Sequence, residues 1–440
     1  MPRSRPLRLF PPLLQRLCLI GFLFLCLIGL SGCQPTDPVI EGTVVHLTLW
    51  QGVNPPPNRD VLQKLVDRFN QQHPEIQVES LYVGQSDQQL PKILAAVVGN
   101  APPNMLWYAP TLTGQLVELD AIKPLEEWLA TTLVKDEIDP ALFESMQWEN
   151  HIWSVPFGVN NVGIFYRPSL FKAAGITDLP QTWDEFRQVA QQLTRPESGQ
   201  HGMVLPMGKG EWTVFTWLPF MWSGGGELVS SEATSQPQAS PGKVQILNPG
   251  AIAALQFWQD LLKDGSAILS EPERGYELDG FLAGKVAMQL TGPWTLGQLQ
   301  STGVDFAVMP IPAATRPATS VGGENLFIFK STPAEEQASQ IFAEYVLSEE
   351  FQTEWAIGTG YLPVNLKARE NPNYQAFATQ QPAVEVFVKQ AAYGRSRPIF
   401  PGYSRISENL GRAIESTLLQ QATPEAALKA SQERLDLVLN

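Results

Sequence analysis

Apolar residues fall along this chain in short alternating runs separated by stretches with helical spacing. Val44 to Trp50 (VVHLTLW) is β-branched and apolar and predicts a first strand. From Asp60 to Gln72, Val61, Leu62, Leu65, Val66 and Phe69 recur at the spacing of one helix face, with Asp60 as the expected cap. Ile76 to Leu81 alternates with period two and predicts a strand. Leu90 to Val98 predicts a helix stopped by Gly99-Asn100 and Pro102-Pro103, and Met105 to Tyr108 has the length of a short buried strand. Strand, helix, strand, helix, strand is the opening of a parallel α/β sheet, whose ligands gather beyond the carboxyl ends of the strands. Farther on, Ile152 to Pro156 and Val162 to Tyr166 predict paired or crossing strands. Trp183 to Leu193 predicts a helix whose capping box is Thr182 with Glu185. Ser230 to Lys243 predicts a polar loop, and Ala251 to Lys263, Pro333 to Leu347, Ser407 to Gln420 and Pro424 to Val438 predict helices.

One apolar run differs from these. Arg3, Arg5, Arg8 and Arg16 precede an uninterrupted stretch from Leu17 to Leu30, which closes on Ser31-Gly32-Cys33. That order, positive then apolar then small, is an export signal, and the run is shorter than the roughly 20 residues a spanning helix needs. It resembles a bacterial lipoprotein signal, which implies cleavage before Cys33 and a diacylglyceryl group on its thiol. Residues 1–32 are then the signal, and 33–43, with Pro35, Pro38 and Gly42, a lipidated tether. Cys18 and Cys26 leave with the signal, so the mature chain has no disulfide framework and no cysteine nucleophile. No Cys/His spacing points to a metal, and no cofactor motif occurs.

About 408 residues remain, more than one core usually organises, and 44% hydrophobic with 17% charged residues describes a packed protein. Thirty basic against 44 acidic residues excludes a nucleic-acid partner, whose phosphates require a basic face. His46, His73, His151 and His201 are isolated, and no hydrolase or nucleotide-binding motif is present, so the expectation is a protein that is not an enzyme.

The chain resembles the extracellular solute-binding proteins of bacterial ABC importers, in the branch that takes sugars and related polyols. The resemblance is carried by LTLWQG at Leu47–Gly52, GNAPPNMLWY at Gly99–Tyr108, VPFGVNNVGIFYRPSLFKAAGI at Val155–Ile176, FLAGKVAMQLTGPW ending at Trp294, VGGENLFIF at Val321–Phe329 and TGYLPVN at Thr359–Asn365. It implies an α/β two-lobe periplasmic-binding-protein fold of type II, each lobe a mostly parallel sheet flanked by helices and joined by crossing segments. The implied division gives 44–156 plus 324–371 to lobe 1 and 157–323 plus 372–440 to lobe 2. Hinges are expected near Pro156–Val159, Gly322-Gly323 and Asn371–Tyr374. The implied partners are a carbohydrate and the permease subunits of an importer, with the protein a monomer held by its lipid to the outer face of the cytoplasmic membrane.

Sugar rings offer apolar faces to aromatic planes and hydroxyl edges to planar polar groups. Twelve tryptophans exceed what a core needs. The family positions nominate Trp50, Trp107, Tyr108, Trp294 and Tyr361, with Trp212, Trp217 and Trp222 as walls from the second lobe. The polar nominees are Gln51, Asp87, Asn160, Asn161, Glu324 and Asn325, with Gly323 at the turn. Arg405, after Gly402-Tyr403-Ser404, stands where glycerol-3-phosphate binders of this family carry a phosphate-gripping arginine. Ser86 and Ala109 replace a tyrosine and a glutamate of those binders, which favours a neutral saccharide or glycoside. A glycerol-3-phosphate receptor is the alternative within the class, and a scaffold or chaperone-like surface lipoprotein the alternative outside it.

Overall fold

Thirteen strands are described, and two sheets account for all but a small hairpin. In chain order they are β1 (Val45–Gln51), β2 (Ile76–Tyr82), β3 (Met105–Tyr108), β4 (Gln147–Trp148), β5 (His151–Ile152), β6 (Val155–Asn161) and β7 (Gly163–Tyr166). There follow β8 (His201–Leu205), β9 (Ala267–Leu269), β10 (Val286–Thr291), β11 (Ala307–Met309), β12 (Thr319–Ile328) and β13 (Gly394–Arg395). The computed structural model describes residues 44–230, 243–270 and 278–439, and residues 45–440 group as one compact unit. The expected signal, Cys33, the tether and nearly all of the polar loop at Ser230–Lys243 lie outside the described residues. Among the described residues no helix is long and apolar enough to cross a membrane.

The first sheet has the order β13-β12-β3-β1-β2, with β6 on β12, and the second β11-β7-β10-β8-β9. β1 pairs in parallel with β2 and β3, and β8 with β9 and β10. β12 runs antiparallel to β3 and β6, and β7 antiparallel to β10 and β11. The sheets are therefore mixed where a mostly parallel arrangement was expected. The two strands that break the pattern, β7 and β12, adjoin or form the crossings, so they enter against the direction set by the βα units.

Local chemistry explains the helices. Thr182 accepts from the Glu185 amide and the Glu185 carboxylate answers the Thr182 amide, the reciprocal cap expected for Trp183–Leu193. The first helix begins at Pro56 because Pro56 and Pro57 hold φ ready for a helical turn, so Asp60, expected as the cap, lies inside it. Its Leu62, Leu65, Val66 and Phe69 are buried as the spacing predicts. The helix Glu211–Ser223 is apolar on all sides and is buried from Thr213 onward, as befits an element packed on every face.

The crossing between the lobes is β6 against β12, in the register Val321 to Asn161, Gly322 to Asn160, Gly323 to Val159 and Glu324 to Gly158. Gly323 has φ +125°, and a Cβ there would stand 2.1 Å from the Gly158 carbonyl oxygen. Only glycine lets these two backbones approach so closely.

Candidate functional site

A cavity of about 440 Å³ opens where the carboxyl ends of the two sheets face each other. Gly52 and Asn54 follow β1, Gln85 to Asp87 follow β2, and Trp107 and Tyr108 end β3. From the other side come Lys209 to Trp212 after β8 and Trp294 after β10, while Asn160 and Gly322 to Glu324 supply the floor from the crossing strands. This placement follows from parallel βα units, whose loops and helix amino termini collect at that end.

The aromatic residues stand as walls set at steep angles. The rings of Trp212 and Trp294 lie 5.9 Å apart with 74° between their planes, and Trp294 and Tyr361 lie 6.4 Å apart at 51°. Gly292 makes room for this: a Cβ on it would meet the Trp294 indole at 2.1 Å. Asn58 fixes the Trp294 backbone by donating to its carbonyl oxygen at 3.0 Å.

Two polar groupings occupy the floor. Tyr361 donates its hydroxyl to Glu324 Oε2 at 3.2 Å. Glu324 keeps part of its surface in the cavity, but burial pushes its carboxyl up to about 8, and the Tyr361 hydroxyl and the Arg397 charge offset that only in part. Beside it Glu211 gathers three donors: Arg397 Nη1 at 2.5 Å, the Tyr403 hydroxyl at 2.8 Å and the Ser407 hydroxyl. Arg397 is 8% exposed and stacks over Phe215, 4.6 Å from the ring centre. Burial disfavours its charge, yet Glu211 and the neighbouring groups more than compensate and raise its pKa. Burial and then the Glu211 charge push the Tyr403 phenol well up as well.

Several buried polar atoms here have no partner in the protein. Trp107 Nε1, Asn160 Oδ1 and Arg397 Nε are among them. Buried donors and acceptors are almost always satisfied, and leaving one bare costs about 1–3 kcal/mol. Trp107, Asn160 and Arg397, the residues that carry these three covered atoms, all line the cavity with the rest of their side chains.

The lobes also touch directly. The Glu211 amide donates to Asp87 Oδ1 at 3.1 Å, so a carboxylate from the helix after β2 caps the helix after β8. Gly210 packs so closely that a Cβ on it would lie 2.3 Å from Asp87 Oδ2.

Of the sequence-predicted site residues, the cavity brings together Asp87, Trp107, Tyr108, Asn160, Trp212, Trp294, Gly323, Glu324, Tyr361 and Arg405. Others are placed elsewhere. Trp217 is fully buried in the core and Trp222 is 2% exposed, with Arg395 over its ring. Five residues beyond Trp212, Trp217 lies roughly 140° around the helix, which turns it away from the cavity. Gln51 accepts from the Val53 amide, and Trp50 is half-buried against the core. Asn161 donates to the Phe387 carbonyl, and Asn325 donates to the Ser145 carbonyl and the Ser154 hydroxyl. Successive residues of a strand point to opposite faces, so Asn160 enters the cavity and Asn161 leaves it. Arg405 sits at the rim, exposed, donating to the Val438 carbonyl at 2.7 Å. The buried cation is Arg397, which the sequence reading missed together with Glu211, Tyr403 and Ser407. Glu211 and Arg397 are 186 residues apart, and neither stands in a motif.

A larger groove, about 1200 Å³, runs along the crossing strands and is lined by Val159, Asn161, Val321 and Asn325. Asn161 and Asn325 are satisfied by protein partners there, as is Glu227 by Arg316 and Arg395. The smaller cavity, where Trp212, Trp294, Tyr361 and Glu324 come together from both sides, is the better candidate.

This architecture, two α/β lobes facing across a cleft with hinge strands beneath it, is that of a solute receptor. The family model for bacterial extracellular solute-binding proteins matches residues 64–383, and the chain belongs to that family. Among its relatives, the maltotriose-binding protein of Pyrococcus abyssi is 20% identical over 397 residues, covering 88% of this chain and 81% of that protein. The sn-glycerol-3-phosphate-binding periplasmic protein UgpB of Yersinia pestis is 22% identical over 423 residues, covering 90% and 92%. The fold matches that of an ABC transporter solute-binding protein from Thermotoga lettingae bound with α-D-tagatose. There the TM-score is 0.80 at 22% identity, covering 90% of this chain and 100% of that one.

Proposed function

We propose that this chain is the substrate-binding component of an ABC importer, closing its lobes on a carbohydrate, a di- or oligosaccharide or a glycosyl-polyol, and delivering it to the permease. One observation carries the reading: aromatic planes from both lobes and the polar side chains of Asn160, Glu324 and Arg397 line one interlobe cavity. Flat rings suit the apolar faces of a sugar, and the polar lining suits its hydroxyls. A volume near 440 Å³ is in the lower part of the range of roughly 300–1,000 Å³ usual for small-molecule sites. The name of one relative agrees, a maltotriose-binding protein, while another, an sn-glycerol-3-phosphate-binding protein, represents the alternative within the class. Closure is a population shift, so the solute must contact both lobes to favour the closed form.

On this reading the protein works outside the cytoplasmic membrane, held there by a lipid on Cys33, and performs no chemistry on its ligand. The lobe boundaries at 156, 323 and 371 put one hinge at the β6/β12 crossing. The deciding experiment is calorimetry with a panel of neutral sugars and glycosides, followed by chromatography of the ligand. Saturable binding with the sugar recovered unchanged is expected; hydrolysis products would replace the reading with a glycosidase, and absence of any small-molecule binding with a scaffold. Intact-mass measurement of the membrane-extracted protein tests the lipid at Cys33.

A further inference from the structure

Charge bookkeeping inside the cavity says more about the solute than its aromatic walls do. Among the described residues three cations line it, Lys209, Arg397 and Arg405, and each is already engaged. Arg397 is ion-paired with Glu211 at 2.5 Å, and Lys209 reaches Glu415 at 3.5 Å. Arg405, at the rim, donates to the Val438 carbonyl. Four acids line the same space: Asp87, Glu211, Glu324 and Glu408. Only Glu408 is turned to an arginine outside the cavity, Arg412 one helical turn on. Glu324 has a phenol as its direct partner and no cation in contact.

A phosphate or carboxylate is held most strongly by charge-assisted donors, and a cation already paired with a carboxylate offers it less. The single buried guanidinium is such a cation: two further hydroxyls, from Tyr403 and Ser407, lock its carboxylate partner in place. An anion approaching Arg397 would meet Glu211 at the same distance range, and like charges brought together across an interface cost several kcal/mol. Neutral hydroxyls face no such penalty.

We infer that this cleft selects an uncharged polyhydroxylated solute and turns away the phosphate ester or uronate of the same sugar, with Glu211 the specificity-determining residue because it neutralises Arg397. The inference rests on the carbohydrate reading above and goes beyond it by fixing the charge of the ligand and the residue responsible.

The test is calorimetry on the full chain with matched pairs: trehalose against trehalose 6-phosphate, maltose against maltose 1-phosphate, and glucosylglycerol against glucosylglycerol phosphate. The expected result is that for whichever neutral member binds, its anionic counterpart binds at least about 100-fold more weakly. In Glu211→Gln, which frees Arg397, the gap narrows at least tenfold through a gain for the anion. An anionic ligand bound within tenfold of its neutral counterpart, or tighter, overturns the selection while leaving the sugar site standing. Loss of that anion binding in Arg405→Gln would then assign the grip to the rim arginine. An unchanged gap in a folded Glu211→Gln variant overturns the role of Glu211. Should that variant not fold, the wild-type ratio alone sustains or overturns the selection. If no member of any pair binds the folded protein, the carbohydrate reading itself fails.

Discussion

Replacing Gly210 with alanine should weaken ligand binding without unfolding the protein. Gly210 has φ −81° and ψ 168°, a conformation alanine adopts freely, so the backbone itself does not resist the change. The obstacle is across the cleft, where the new methyl group would stand 2.3 Å from Asp87 Oδ2 and 2.7 Å from its Cγ. Asp87 is exposed and can swing aside, but it then gives up the hydrogen bond it accepts from the Glu211 amide. A hydrogen bond to a charged group contributes about 1.5–3 kcal/mol, and exposure to solvent reduces that to about 1 kcal/mol here. That contact exists only while the lobes are together, so its loss appears as a roughly fivefold shift toward the open form and a roughly fivefold weaker affinity. The assay is calorimetry with the best neutral glycoside, alongside small-angle scattering of the ligand-free protein, which should report a larger radius of gyration. Asp87→Ala should weaken binding by a similar factor, and Gly210→Ala should then add little in that background. Any cost of alanine at the helix cap enters both backgrounds equally. Additive effects of the two substitutions, or unchanged affinity in Gly210→Ala, would refute the idea that Asp87 latches the lobes.

Glu324 gives a pH signature. Its carboxyl holds a proton to about 8 in the folded chain against an ordinary 4.5, so the folded state binds more protons between those values and stability falls as pH rises through that window. Glu324→Gln, which imitates the protonated acid, should flatten the fall in melting temperature between about pH 5 and 8; an unaltered slope would place the titration elsewhere. Trp294→Ala should weaken sugar binding about tenfold and also lower the melting temperature, because the half-buried indole lines the cavity and packs on the cores of both sides. Trp107 is 5% exposed and anchors β3, so its test is Trp107→Phe, which keeps most of the packing, shortens the aromatic wall and should cost about fivefold in affinity. Gly323→Ala should lower stability by about 2 kcal/mol or more, read as the denaturation midpoint, because the side chain is both strained at φ +125° and in collision with the Gly158 carbonyl.

Elements with local signals were legible in the sequence. Thr182 with Glu185 announced its helix, alternation announced β2, and Met105 to Tyr108 announced β3 along with two cavity residues. The start of the first helix was misread because Asp60 is a good cap in isolation, while Pro56 and Pro57 act earlier. Among the tryptophans of Glu211–Ser223 the sequence could not choose. All three share one apolar helix, and only the packing of the crossing strands decides that Trp212 faces the cavity and Trp217 the interior. Glu211 and Arg397 were invisible for a different reason: an ion pair closed over 186 residues leaves no periodicity to detect. The sole hint was local, a lone acid ahead of an apolar helix, Gly210-Glu211-Trp212, which by itself suggests a favourable helix-dipole contact.

β12 joins several tasks in one strand. Its first residues pair with β13, its last with β3, and between them Glu324 reaches the cavity one residue from Gly323. The same piece of backbone thus serves as pivot and as fingertip. On the function proposed above, any inherited change that alters how far the molecule bends there would also move the acid that lines the cavity. Tightness of grip and choice of guest are therefore bound to drift together across descendants of this gene, and a variant tuned for one will carry a signature in the other.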